Sequence, residues 1–275
     1  MSRRMAAALA FFLGWTMFYL VRARRRVAWK NISRSLPALS WAERTRILRQ
    51  SYTHLGHVVV ETFRLSSLSS VQASEIIGDA RGRIEGLRRP QGLLVAVAHL
   101  GLWDLLACAS ARAGIPVNVV TRQIKSGRID SFWRRLRERS GVRLLPAEGS
   151  ALAIRRALRR GELVGLAIDQ HQPEGLPVPF FGRLAATTDA PARLAIDSGA
   201  PLFFASLVRR DDGVDFHLRG PIEFSEEGEP TGAMTRADRV MKITRRLNAV
   251  LEEEIRACPE QWFWIHRRWK IDGRV

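Results

Sequence analysis

The feature that most limits what this chain can fold into is a repeated pattern between residues 92 and 168. Short, mostly apolar runs alternate there with amphipathic stretches that end at glycine. Residues 92–98 (Gly-Leu-Leu-Val-Ala-Val-Ala) have the length and apolarity of a buried strand. Residues 102–113 can form a helix ended by Gly114, and 115–120 a second strand. Residues 129–140 read as a basic amphipathic helix ended by Gly141, and 142–145 as a third strand. Residues 150–160 read as a helix ended by Gly161, and 162–168 as a fourth strand. Residues 170–188 read as a loop with three prolines and two glycines. A helix over 190–198, a strand pair around 201–218 and a long helix from about 234 to 256 follow. Strands alternating with helices predict an α/β domain, with a central mixed sheet flanked by helices. Upstream, residues 40–63 show helical spacing at Ile47, Leu48, Tyr52, Leu55, Val59 and Phe63. Ser40 and Glu43 are placed as a capping box at its start. Residues 66–70 form a polar break.

The N-terminus has a different texture. Residues 5–21 carry no charge and are rich in large apolar side chains. Arg3 and Arg4 precede the run, and Arg22, Arg24, Arg25 and Arg26 follow it. A run of about 17 residues is just long enough to cross a bilayer core, and Trp15 and Tyr19 suit a headgroup layer. A cleaved signal peptide fits less well, because arginines follow the run where small residues are needed. A buried helix of a soluble protein remains the alternative. The expected division is an anchor with a basic collar over 1–26 and one α/β domain over 27–275. The excess of arginine after the run places the bulk of the chain in the cytoplasm.

The chain carries 44 Lys and Arg against 27 Asp and Glu, a net charge of +17. Such an excess calls for a negatively charged partner: nucleic acid, an anionic membrane or an acidic protein. The two cysteines, Cys108 and Cys258, give neither a disulfide framework nor a metal-ligand spacing.

Chemistry is most concentrated in Ala98-His99-Leu100-Gly101-Leu102-Trp103-Asp104. His99 follows the first strand directly, and strand C-termini are where open α/β sheets place ligands. Asp104 falls on the first turn of the next helix. Facing His99, its carboxylate would fix the imidazole tautomer, and the imidazole would deprotonate an alcohol. Gly101 permits close backbone approach, and amides near it, or a charged side chain, could hold an oxyanion. A structural histidine near a helix N-terminus, with Asp104 favouring the helix dipole, reads the same residues without chemistry. Asp169 ends the fourth strand and could pair with Arg137. His171 and His266 read as structural or rim residues. Trp262, Trp264 and Trp269, interleaved with Arg267, Arg268 and Lys270, suggest a membrane-interface surface or, alternatively, a platform for single-stranded nucleic acid.

The segment from His99 to Asp104 resembles the HX4D/E motif of the lysophospholipid acyltransferase superfamily. Further blocks resemble the lipid A biosynthesis acyltransferases, the lauroyl and myristoyl transferases of Gram-negative bacteria. These are Val120-Thr121-Arg122 with Asp130 and Arg137, Ile168-Asp169-Gln170, Val178-Pro179-Phe180-Phe181-Gly182, Ala185-Ala186-Thr187-Thr188, and Gln261 to Lys270. The resemblance covers nearly the whole chain. It implies a glycerolipid acyltransferase-like fold, with His99 as general base and Asp104 as its orienting partner. Arg122, Arg137, Asp169 and Gly101 are implied as supporting or substrate-binding residues. It further implies an acyl carrier protein or acyl-coenzyme A donor, a phosphorylated glycolipid acceptor such as a lipid A precursor, no metal or organic cofactor, and no nucleic acid. The expected location is the bacterial inner membrane, with the catalytic domain facing the cytoplasm. Asp104 stands where the lipid A branch usually carries Glu. Asp is usual in glycerolipid acyltransferases and in the mycobacterial mannoside acyltransferases, so another glycolipid or a glycerophospholipid is the alternative acceptor. A non-catalytic basic protein binding membrane or nucleic acid is the rival class. It accounts for the charge but not for a His–Asp pair at a strand end.

Overall fold

The computed structural model describes residues 3–78, 80–87, 90–123, 126–223 and 234–270. Eight strands are described: β1 (Leu93–Val97), β2 (Val117–Thr121), β3 (Arg143–Pro146), β4 (Leu163–Ala167), β5 (Leu176–Phe180), β6 (Arg183–Thr187), β7 (Leu202–Arg209) and β8 (Val214–Arg219). Six of them form one sheet in the order β3-β2-β4-β1-β7-β8. All neighbours in it are parallel except β7 and β8, so the sheet is mixed. Its central strand β1 lies between β4 and β7 and is buried on both faces. Leu94 and Ala96 point into one core cluster, and Leu93 and Val95 into the other. Each fully buried leucine contributes on the order of 2 kcal/mol, which is why a run with no polar alternation makes a central strand.

The helices are α1 (Arg3–Thr16), α2 (Arg25–Ser35), α3 (Trp41–Arg64), α4 (Ser70–Ile77), α5 (Ala80–Leu87), α6 (Trp103–Arg112), α7 (Gly127–Arg139), α8 (Ala151–Arg159), α9 (Ala190–Ser198) and α10 (Arg236–Ala257). The Ser40–Glu43 capping box opens α3 as the spacing predicts, with both reciprocal hydrogen bonds formed. The expected polar break at 66–70 separates α3 from α4: a short 3-10 turn covers Leu65–Ser67, and Ser69 caps α4 reciprocally with Gln72. The expected loop over 170–188 contains the β5–β6 hairpin. Its prolines, Pro177 and Pro179, occupy the outward positions of β5, while Val178 and Phe180 are buried. A two-stranded hairpin leaves free edges, and those tolerate proline's missing N–H. The turn is made by Phe181 and Gly182, both at positive φ.

α1 continues as a wider π-helical turn over Met17–Val21. Arg4–Val21 is long and apolar enough to cross a membrane. It does not stand apart from the domain, because Ala6 and Ala10 are buried against α3 together with Val60. Gly14 approaches the α3 backbone so closely that a β-carbon there would lie 2.5 Å from Thr53 Cα, and one on Gly56 would lie 1.9 Å from the Ala10 oxygen. Small residues at four-residue spacing let the two backbones meet. The outer face of α1 is left exposed and apolar, with Met5, Phe11, Phe12, Leu20 and Val21 each more than half exposed.

Candidate active site

Sheet register builds the centre of the site. β1 and β4 pair with a constant offset, Leu93 opposite Leu163 and Val97 opposite Ala167. Two residues beyond each strand end, that register sets His99 beside Asp169. His99 Nδ1 lies 2.9 Å from Asp169 Oδ1, and the His99 backbone N–H donates to Asp169 Oδ2 at 2.9 Å. The Trp262 indole N–H donates to the same Oδ2 at 3.0 Å. A carboxylate can only accept here, so Nδ1 carries the proton and Nε2 presents its lone pair. Nε2 has the Gln170 side-chain nitrogen 3.4 Å away. The ring clusters with Trp103 (5.1 Å between centroids) and Phe263 (5.8 Å), which also touch each other (6.3 Å). The side chain of His99 is 25% exposed and that of Asp169 only 3%, so the imidazole reaches solvent and the carboxylate does not.

Asp104 does not orient His99. Its Oδ1 accepts Arg137 Nε at 2.8 Å and Nη2 at 2.7 Å, and its Oδ2 accepts the Trp133 indole N–H at 2.8 Å. The expected pairings are thus exchanged: Asp169 holds the imidazole and Asp104 holds Arg137. The physical reason is direction. A residue on the first turn of α6 faces α7, which packs beside it, whereas the parallel ladder carries β4 directly to the histidine. Asp104 and Arg137 act on the charge of His99 in opposite directions, the carboxylate raising its pKa and the guanidinium lowering it. Burial pulls the His99 pKa down, but the Asp169 charge and hydrogen bond, helped by Asp104, outweigh it and leave the pKa raised. Burial pushes the Asp169 pKa up, but His99 and the converging N–H groups bring it down to about 2.

Gly101 sits at φ +61° where the chain crosses β7, and a β-carbon would lie 2.1 Å from the Leu207 oxygen. That close crossing uses its amide. Gly101 N–H donates to the Gln261 oxygen (3.1 Å) and Leu102 N–H to the Leu207 oxygen (2.8 Å). Neither amide is therefore free for an oxyanion, which leaves the charged-side-chain option. The carbonyl of Gly101 is bonded to His54 Nε2 at 3.1 Å. His54 is buried on α3, and its burial brings its pKa down to about 3, so it is a neutral support.

The C-terminal block clamps this loop and does not form the expected membrane surface. Leu100 pairs with Trp262, and Phe263 N–H donates to the His99 oxygen at 3.0 Å. Gln261 bonds both backbone groups of Arg209 on β7 (2.9 and 2.8 Å). Trp262 and Trp264 are 2% and 1% exposed, and Arg268 is fully buried, donating to the Ala186 oxygen and Thr187 Oγ1 (2.7 and 2.6 Å). Their aromatic and cationic character serves packing under the site. Of the remaining arginines, Arg143 and Arg160 bind Glu162 at the opposite, N-terminal end of β4, while Arg155, Arg156 and Arg159 are exposed on α8. Arg122, exposed after β2, bonds the Gln172 side chain. Among the described residues, no three His, Cys, Asp or Glu side chains converge as a metal site requires.

A histidine hydrogen-bonded to a buried carboxylate thus stands at the C-terminal edge of the parallel sheet. The family model described as bacterial lipid A biosynthesis acyltransferase matches residues 1–271. The chain belongs to this family. It is an acyltransferase. The chain is 28% identical to a lipid A biosynthesis palmitoleoyltransferase of Escherichia coli (strain K12) over 257 residues, 91% of this chain and 80% of the relative. It is 28% identical to the lipid A biosynthesis lauroyltransferase of the same strain over 277 residues, 94% and 83% of the two chains. A phosphatidylinositol mannoside acyltransferase of Mycobacterium tuberculosis (strain ATCC 25618 / H37Rv) is 23% identical over 252 residues, 88% and 76%.

Three residues of this acyltransferase's site escaped the sequence reading. Trp133 and Trp262 each complete a carboxylate's set of donors, and His54 supports the Gly101 carbonyl. Only Trp262 had a visible signal, its place in the family-like C-terminal block. The other two are brought in by helix packing.

Proposed function

We propose that this acyltransferase moves a fatty acyl chain from an acyl thioester, carried on acyl carrier protein or coenzyme A, to a hydroxyl of a lipid A precursor or a closely related phosphorylated glycolipid. The observation that carries the proposal is the His99–Asp169 contact, which in the neutral ring puts the proton on Nδ1 and leaves Nε2 as the acceptor, beside Trp103 and Phe263. Nε2 takes the proton of the acceptor hydroxyl as its oxygen attacks the thioester carbonyl carbon. The negative charge that forms on the carbonyl oxygen is met by Arg137, which Asp104 holds, with Asp104 itself held by Trp133. Collapse breaks the carbon–sulfur bond, and the thiolate recovers the proton from the imidazolium. An ester and a free thiol result. Asp104 thus acts through Arg137 and Asp169 acts through His99.

The exposed apolar face of α1, flanked by Arg22, Arg24, Arg25 and Arg26, supports membrane attachment. The opposite face is packed on α3, whose N-terminal half carries Arg44, Arg46 and Arg49. We read α1 as lying in one leaflet, half immersed, since a spanning α1 would draw the stretch of α3 packed on it, with His54, His57 and Glu61, into hydrocarbon. The cytoplasmic leaflet of the bacterial inner membrane suits the basic collar.

Asp104, together with the similarity to a mannoside acyltransferase, favours a second reading in which the acceptor is a different glycolipid. The test is acyl transfer from a labelled acyl thioester to each acceptor by the full chain in mixed micelles, with His99→Ala as the control. Transfer to a phosphorylated disaccharide lipid that is lost in the variant supports the first reading. Transfer only to a mannosylated lipid supports the second. Equal transfer by His99→Ala refutes the mechanism.

A further inference from the structure

One cleft beside the proposed base is not used by the chemistry above. Gln170, next to the base, is followed by His171, which lines a 350 Å³ cleft with Pro173, Gly175, Pro177, Ala186 and Lys270. Its walls are fixed. The Ala186 carbonyl accepts Gln172 N–H (3.1 Å) and Arg268 Nη1 (2.7 Å). Gly175 presses so closely on β6 that a β-carbon would lie 2.5 Å from the Thr187 oxygen. Lys270 follows Trp269, whose indole N–H is bonded to the Phe180 oxygen at 3.2 Å and whose ring is covered by Arg183 at 3.9 Å. Arg122 reaches across from β2 to the Gln172 side chain.

The charge here is one-sided. Lys270 lines the cleft with His171, Arg122 is bonded to the neighbouring Gln172, and Arg268 Nη1 donates to the Gln170 oxygen (3.5 Å); burial and these three cations lower the His171 pKa. His171 Nδ1 is buried with no hydrogen-bond partner among the described residues. The loop's single carboxylate, Glu174, forms no ion pair among them. Three cations against one exposed carboxylate around a rigid cleft are arranged for a multiply charged oxyanion.

We propose that Arg122, His171 and Lys270 form a phosphate subsite that seats a phosphate ester of one of the two substrates while His99 reacts. The assignment rests on the acyl-transfer reading above and deepens it. Two sources share this chemistry: the phosphate of a phosphopantetheine-bearing donor, and a phosphate on the glycolipid acceptor.

The test uses the full chain, with Arg122→Gln/Lys270→Gln and the charge-retaining Arg122→Lys/Lys270→Arg, and inorganic pyrophosphate as the probe. The neutral variant is expected to raise the KM of one substrate by about tenfold or more while kcat stays within about threefold. Pyrophosphate should compete with that same substrate in the wild type and lose its effect in the neutral variant. The charge-retaining variant should keep both. A raised donor KM assigns the phosphate to the carrier, and a raised acceptor KM assigns it to the glycolipid. Unchanged KM values with undiminished pyrophosphate inhibition would overturn the subsite. If the neutral double variant does not fold, by circular dichroism, the single variants and His171→Gln are read the same way. Failure of the acyl-transfer reading itself shows separately, as no transfer by the wild type or full transfer by His99→Ala.

Discussion

Replacing Asp169 with asparagine exchanges one carboxylate oxygen for an amide nitrogen at a point where three N–H groups converge. Two of them, from the His99 backbone and Trp262, meet at Oδ2, and the third, His99 Nδ1–H, meets Oδ1. The asparagine oxygen will occupy the Oδ2 position, because the alternative sets the amide N–H groups against two donors at once. The amide nitrogen then faces Nδ1, which must become an acceptor. The ring proton moves to Nε2, so the atom meant to receive the substrate's proton no longer can. A tautomer reversed in this way behind a catalytic imidazole costs on the order of 10⁴ in kcat, or about 5.5 kcal/mol of barrier. Asp104→Asn supplies the contrast. It weakens the hold on Arg137 but leaves the His99 tautomer intact, so its loss should stay near 10²–10³, as for one oxyanion donor. Steady-state transfer from a labelled acyl thioester measures both, with melting curves as a check on folding. A kcat for Asp169→Asn within about tenfold of wild type, or a larger loss for Asp104→Asn, would refute the reasoning.

The raised pKa of His99 also has a pH consequence. Protonated His99 cannot act as a base, so kcat/KM should climb as pH rises through a value above the ordinary 6.5. In Asp169→Asn that limb should move to lower pH, and a limb that stays in place would show that Asp169 does not set it. His99 should add stability below pH 6.5 and lose it as pH rises through its folded pKa, while Asp169, brought down to about 2, adds stability above its unfolded pKa near 4 that is lost as pH falls toward 2. Denaturant midpoints across pH measure this. Gly56→Ala puts a methyl group 1.9 Å from the Ala10 oxygen and should cost about 1–3 kcal/mol by pushing α1 off α3; an unchanged melting temperature would mean α1 is not docked there. Gly101→Ala forces a side chain into left-handed backbone against the Leu207 oxygen, and should lower the melting temperature by several degrees and depress kcat.

Much of the frame was legible in the sequence. The uncharged run at 92–98, the glycines that end helices and the Ser40–Glu43 box each act over a few residues, and each appears in the fold as read. The β5–β6 hairpin was hidden because prolines normally forbid strands, and only the outward facing of Pro177 and Pro179 makes one possible. The tryptophans at 262, 264 and 269 read as a surface because aromatic–basic interleaving is common at membranes. In the folded chain, pairing of Leu100 with Trp262 draws the block inward.

The segment from His99 to Asp104 shows the same division. Local sequence determined that a histidine would stand at the end of a buried strand, with a carboxylate on the first turn of the next helix, because strand and helix starts are short-range matters. Which carboxylate meets the imidazole was decided only by the tertiary structure. The β1–β4 register brings Asp169 to His99 across 70 positions of chain, and the packing of α7 on α6 turns Asp104 away toward Arg137. Hydrogen-bond ladders fix register between strands far apart in sequence, and no local spacing contains that information.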